Sequence, residues 1–505
     1  MQEHRRLTQK GQVMPMTVIF IVAVILALWV MYDSGSVMSD KIRLQNTADN
    51  VAYSTATLVS RDLNFIAYTN RGLVANQIGI AQMVGVSSWA ASIEQLFANL
   101  NTIFQNTPFG AFSGGALTAA TAVSNFIDEF AEFMIDRNND FSDGITRAQS
   151  IFHGAIVLQI PDMARDVADR NEPDAYALLS VGAYSFSEAA SVVEQFNEQI
   201  GAQYQRHATS DDSEDARFEN SRYRDLEGVV LGSRGQFTRN RSYEWELPFT
   251  VPLLYETQKY GGNEFFRYED PSDEKYRWDW TAMETVSFRF IHCGIDGCEK
   301  GPEVPLTWGA AHALDEDEAS DFSDYGLIES NRRAKHLWGQ GTWRNSASAT
   351  LLNTSPASSE VTGGKDHINH RIASSAALRP FYEFRSNDII DTGPEIIALY
   401  AKDEGRVNSQ DSIMTAGGGV VATDIDTDRD GGLASNRLGA IAKAQPYYAR
   451  PTDLDGWRRR DNRIEHGSLY NPYWQTRLIE LSNAEKLAAT EIIGGVVLTN
   501  NGGSR

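Results

Sequence analysis

Three groups of side chains in this 505-residue sequence have types and spacings that could do chemistry. The first is a cysteine pair, Cys293 and Cys298, the two cysteines of the chain. They bracket Gly294-Ile295-Asp296-Gly297 directly after the strand-like run Ser287 to His292, so a tight hairpin would bring their Cβ atoms together. A disulfide is the natural reading, and it requires an oxidising compartment. So short a loop removes little denatured-state entropy, so the bond would fix a loop tip rather than stabilise the whole fold. A zinc site using His292 would have three local ligands where a structural site takes four.

The second group, Asp426, Asp428 and Asp430 followed by Gly431, fits the first half of a calcium loop, in which alternating carboxylates face one cation and the glycine allows the sharp turn. Position twelve of that loop is Arg437, where a bidentate acid belongs, so a plain acidic turn is favoured and Ca2+ is kept as the alternative cofactor. The third, His367 and His370 after Gly363-Gly364, would share a metal on a helix, but in an extended segment an i,i+3 pair points to opposite faces. Metalloprotease, nucleophile-elbow and phosphate-loop motifs do not occur. With 67 acidic residues, acid pairs suited to glycoside hydrolysis carry no information. No catalytic residue can be nominated, no small-molecule substrate is identified, and the chain is not expected to be an enzyme.

The elements that would position these groups begin with a membrane segment. Val13 to Tyr32 contains no charged residue. At 1.5 Å per residue such a stretch matches a hydrocarbon core of about 30 Å. Arg5, Arg6 and Lys10 precede it, and Asp33 to Asp40 holds two acids and no base. The positive-inside rule then predicts a cytoplasmic N-terminus with the bulk of the chain outside. A cleaved signal peptide competes, with Ser34-Gly35-Ser36 as the cut site, but its apolar region is usually only about 7 to 15 residues. A mean hydropathy of −0.36 excludes a polytopic membrane protein. The net charge of −22 opposes nucleic-acid binding, because that affinity comes mostly from Lys and Arg displacing counterions.

Beyond the membrane, apolar or small residues recur at helical spacing through Leu44, Ala48, Val51, Leu58, Leu63 and Ile66, predicting a helix-packing stripe. Asn106-Thr107-Pro108, Gly114-Gly115, Asn138 to Asp140, Pro161 and Pro173 read as stops between further helices, and Gly72 as a break. The texture then changes. Eight of the ten tryptophans lie between Trp245 and Trp474, in segments that alternate bulky and polar residues. The expectation is an α+β chain: residues 1–12 a cytoplasmic stub, 13–32 a transmembrane helix, 33–206 a helical stalk and bundle, 207–227 an acidic linker, 228–480 a β-rich periplasmic domain, and 481–505 a C-terminal helix and tail.

Lys10-Gly11-Gln12, the apolar helix, and Lys41-Ile42-Arg43-Leu44-Gln45-Asn46-Thr47-Ala48-Asp49-Asn50-Val51-Ala52 resemble the N-terminal region of TadE/TadG-like proteins of Tad (Flp-type) pilus assembly. Tyr470 to Leu478 is similar to a segment of the longer TadG-like chains. The resemblance implies a single-pass bacterial inner-membrane protein, periplasmic in bulk, whose partners are other pilus-assembly proteins or pilins. Pseudopilins cut after the glycine carry glutamate five residues beyond it; here that position is Met16, which argues against an ordinary filament subunit. A von Willebrand A metal motif is not matched at Asp33-Ser34-Gly35-Ser36-Val37. The reading is a membrane-anchored structural or accessory component. The alternatives are a minor pseudopilin of a secretion system, and an anchored adhesin or carbohydrate-binding protein using residues 228–480.

Overall fold

The structure is a computed structural model that describes residues 13–179, 204–207, 222–250, 253–270, 275–301, 304–313, 378–384, 391–403, 406–407, 437–451 and 465–493. It has two long helices, α1 (Val13–Phe104) and α2 (Gly110–Asn171), then β1 (Tyr176–Leu179), β2 (Tyr204–His207), α3 (Arg222–Ser233) and α4 (Gln236–Arg239). Next come β3 (Tyr243–Thr250), β4 (Leu253–Asp270), β5 (Lys275–Gly294), β6 (Gly297–Lys300) and β7 (Val304–His312). The last elements are β8 (Phe381–Phe384), β9 (Ile396–Asp403), β10 (Arg437–Tyr448), β11 (Trp474–Leu478) and α5 (Asn483–Ile493). Long helices followed by antiparallel sheet make the fold α+β.

α1 runs unbroken because its one proline, Pro15, occupies the first turn, where a missing N–H costs little. Gly72 does not break it. A Cβ there would lie 3.0 Å from Cδ1 of Ile145, so this glycine lets α1 approach α2. The stop at Asn106-Thr107-Pro108 is where α1 yields to α2, and Thr107 Oγ1 donates to the Phe104 carbonyl at 2.7 Å. Gly114-Gly115, Asn138 to Asp140 and Pro161 stop nothing, contrary to expectation; all lie inside α2. Burial on both sides outweighs their poor propensity, worth about 1 kcal/mol for glycine and 3 for proline. Ile160 and Ala164 are buried around Pro161, and Ser142 Oγ donates to the Asn138 carbonyl while accepting from Asn76. α3 passes through Gly228, so the first strand of the β-rich stretch starts only at Tyr243.

The chain divides into two compact units. The first combines Met1–Ala67, Ile151–Gln205 and Phe384–Arg505. Its sheet is antiparallel, in the order β1-β9-β10-β11. Leu44, Ala48, Val51, Leu63 and Ile66 of α1 share its core with Ile156 and Ile160 of α2 and with Leu399, Tyr400 and Trp474. Phe65 and Phe152 meet at a tilt with ring centroids 4.2 Å apart, and Trp474 meets Phe384 and Tyr448 edge-on.

The second unit combines Tyr68–Ser150 and Arg206–Glu383. In its antiparallel sheet β3, β4 and β5 are neighbours, and β6 and β7 both pair with β5 along one side. Trp278, Trp280, Trp308 and Phe265 are buried in this unit, as are Ile80, Val84 and Ile135, and the Phe265 and Trp280 ring centroids lie 4.6 Å apart. Here α1 touches strand backbone directly: a Cβ on Gly309 would lie 2.3 Å from the Ser92 nitrogen and 2.7 Å from the Ser88 carbonyl oxygen.

That close approach sets a test. Gly309→Val should lower stability by about 1–3 kcal/mol, as overpacking does. Gly144→Ala, at an exposed helical glycine with nothing within 4 Å of the new Cβ, should raise it by about 0.4–1 kcal/mol. Thermal unfolding followed by circular dichroism reads both signs.

Candidate functional site

The functional candidate is the first half of α1, where an apolar segment passes directly into a packed one. The apolar window of this helix has a mean hydropathy of 2.6 and is not buried at all. Met14, Ile19 and Phe20 are each more than two-thirds exposed. It is one helix long and apolar enough to cross a membrane. Burial starts at its end, with Asp33 at 5% and Asp40 at 1% exposure, and from Leu44 onward most positions on one face are closed.

What α1 covers in the first unit is the open side of the sheet. β11 pairs with β10 only over Ala444 to Tyr448, and among the described residues the earlier part of β10 has no strand neighbour on that side. Lys41 Nζ donates to the Gly439 carbonyl and Gln45 Nε2 to that of Ile441 at 2.9 Å. The match is metric: four residues of helix rise about 6.0 Å and two residues of strand about 6.8 Å. Further along, the Asn64 carboxamide donates to the Trp474 carbonyl at 2.8 Å and accepts from the Trp474 N–H at 2.9 Å, pairing both backbone groups of an edge residue as another strand would. Ser60 Oγ lies 2.8 Å from Thr476 Oγ1 and donates to the Gln475 carbonyl at 3.2 Å.

Two side-chain clusters tie the same helix to its neighbours. Lys402 on β9 sits between Asp40 at 3.3 Å and Glu172, just past α2, at 3.1 Å, with all three side chains at most 6% exposed. Asp62 and His153 pair at 2.6 Å, joining α1 to α2. Beyond the sheet, α5 begins with a reciprocal cap: Glu485 N–H donates to Ser482 Oγ and Ser482 N–H to the Glu485 carboxylate. Lys443 of β10 holds that carboxylate at 2.7 Å, and these bonds keep its pKa down at about 2.

Of the helix-packing residues expected from sequence, Leu44, Ala48, Val51, Leu58, Leu63 and Ile66 are all buried. Lys41, Gln45, Ser60 and Asn64 were not anticipated. Their four-residue spacing was visible, but polar residues beside an apolar stripe ordinarily signal a solvated flank. Cys293 and Cys298 face each other across the β5–β6 hairpin, joined by a disulfide. Gly297 takes φ +123° in its turn, and Ile295 at the tip is fully exposed. Glu256 of β4 anchors the base of this hairpin, receiving Arg289 through two bonds of 2.8 and 2.9 Å and Lys300 at 2.8 Å. The arginine, followed by Lys300 and Gln258, holds its carboxyl at about 2. Nearby, Glu284 is fully buried between Arg241 and Lys259, and burial pushes the Lys259 ammonium down despite that carboxylate. Asp426, Asp428, Asp430, His367 and His370 lie outside the described residues. Among the described residues no cluster of three His, Cys, Asp or Glu side chains could hold a metal.

Residues 11–57 match the TadE/G-like Flp pilus-assembly family model. The match covers the membrane-length segment and the helix through Leu44, Ala48 and Val51, with Lys41 and Gln45 on the sheet edge. No curated protein and no solved structure matches the chain.

Two measurements probe these contacts. Asn64→Leu strands the N–H and C=O of Trp474, which should cost about 1–3 kcal/mol per group in chemical denaturation. For pH, Glu256 and Glu485 both sit at about 2 against an ordinary 4.5, so their contribution is complete above about pH 4.5 and disappears as pH falls from there through 2. The melting temperature should fall over that window, and Glu256→Gln with Glu485→Gln should flatten the fall while lowering the plateau near pH 7.

Proposed function

We propose that this chain is an anchored accessory component of Tad/Flp-type pilus assembly. It would be fixed in the bacterial inner membrane by one pass, with its N-terminus cytoplasmic and its bulk periplasmic. It works through protein contacts, holding or guiding assembly proteins or emerging pilins, and performs no reaction of its own. The observation that carries this reading is the family match to residues 11–57, laid on a helix that leaves its apolar segment open and then buries itself against a sheet. Orientation rests on Arg5, Arg6 and Lys10 before the segment against Asp33 and Asp40 after it. The Cys293–Cys298 bond agrees with an oxidising compartment on the far side.

Cross-linking in cells followed by native extraction should recover a pilin, a secretin or an inner-membrane platform protein with this chain, and deletion should abolish or shorten the pili. Recovery of none of these partners, with piliation unchanged in the deletion strain, would reject the role. N-terminal sequencing of the mature protein should find the chain uncut after Gly11. A chain beginning at Gln12 would instead place it among processed pseudopilins.

A further inference from the structure

The first half of α2 is inside out. Its buried face is built largely from small and polar residues, with Ser113, Ser124, Ala131 and Ser142 at 6% exposure or less. Its large apolar residues point outward: Phe112, Val123, Phe126, Phe130, Phe133 and Phe141 are between 49% and 79% exposed. At 100° per residue these six fall on one stripe, and from Phe112 to Phe141 it runs about 44 Å at 1.5 Å per residue. Given the 150–250 Å² an aromatic side chain can bury, the open apolar area is roughly 600–700 Å². That exceeds the largest patch of an ordinary monomer, about 300–600 Å², and approaches the roughly 800 Å² per partner of a standard protein interface.

Charge beside the stripe selects what covers it. Glu129, Glu132, Asp136 and Asp140 are exposed along one side, against a single base, Arg137, a surplus of three negative charges (four acids less one base). Arg137 reaches Asp140 at 2.9 Å and lies over the Phe133 ring at 5.7 Å, so the stripe already holds one cation by carboxylate and ring face together. Phe126 and Phe130 stack nearly parallel with centroids 6.4 Å apart, offering further ring faces of the same kind. A second copy of α2 would bring the same surplus of three negative charges, its one base being the Arg137 that Asp140 already holds. We infer that this stripe is a docking surface for an amphipathic α-helix of another protein, one with an aliphatic face flanked by Lys or Arg. The inference stands on α2 alone and does not depend on the pilus role.

The test uses the full-length chain in nanodiscs of zwitterionic lipid and two labelled synthetic helices of about 28 residues, matched to the stripe at 1.5 Å per residue. Both carry leucine at heptad positions a and d; one has lysine and the other glutamate at e and g. Fluorescence anisotropy, corrected with empty nanodiscs, should show the lysine peptide binding at least tenfold more tightly. The combined change Phe126→Ser, Phe130→Ser, Phe133→Ser should weaken it at least tenfold. Should that variant fail to fold, the charge reversal Glu129→Lys, Glu132→Lys, Asp136→Lys, all at exposed positions, decides alone by reversing the preference toward the glutamate peptide. Binding of neither peptide, equal binding of both, or a preference untouched by charge reversal overturns the proposal. So does a drop in particle mass on the Phe→Ser change, because a second copy would then be the occupant.

Discussion

Every antiparallel sheet that does not close on itself has an edge, and each edge strand presents backbone N–H and C=O groups that need partners or water. In both units α1 supplies those partners from its side chains. Lys41, Gln45, Ser60 and Asn64 reach β10 and β11, and Asn99 and Ser88 reach the carbonyls of Leu306 and Gly309 on β7. The traffic also runs the other way, since Thr307 Oγ1 on β7 donates to the Ser92 carbonyl at 2.8 Å. A helix can do this only if its backbone comes close, and closeness requires small residues on both partners. Hence the Ala and Ser content of the buried face of α1, and hence Gly309, where any Cβ would collide with the helix.

This constraint accounts for two groups of buried charges. Lys402 between Asp40 and Glu172, and Glu284 between Arg241 and Lys259, sit where strands and helices meet. Breaking such a group leaves an uncompensated buried charge and costs about 3–5 kcal/mol, whereas an apolar replacement of the whole group can be neutral. Their value is in fixing which residue meets which. A face of small and polar residues has few large apolar knobs to define its register, and directional bonds to single strand carbonyls define it instead.

The sequence disclosed what depends on one-dimensional periodicity. The membrane-length segment, the stripe from Leu44 to Ile66, the Asn106 to Pro108 stop, the Cys293–Cys298 hairpin and the alternating strands all carry local patterns that survive without tertiary context. It did not disclose Lys41, Gln45 or Asn64, because a polar side chain bonded to a strand some 400 residues away looks the same as one bonded to water. Pro161 and Asn138 to Asp140 misled for the opposite reason: local propensity is worth a few kcal/mol at most, and packing of a 62-residue helix exceeds it. The Ser482–Glu485 cap was legible as Ser-x-x-Glu, and its Lys443 partner was not.

The continuity of α1 bears on the proposed role. A binding module on a tether profits from a flexible linker that lets it search, and such linkers are rich in Gly, Ser or Pro. Here Asp33, the first residue past the apolar segment, is already buried, and Lys41 already bonds to the sheet, all within one helix and one compact unit. No hinge separates the apolar segment from that unit. A membrane holding the one would therefore fix the tilt of the other, and removing the helix would unpair the sheet edge. That coupling is the physical ground on which the proposed accessory role rests: a component tied this way holds a set position above the membrane that anchors it.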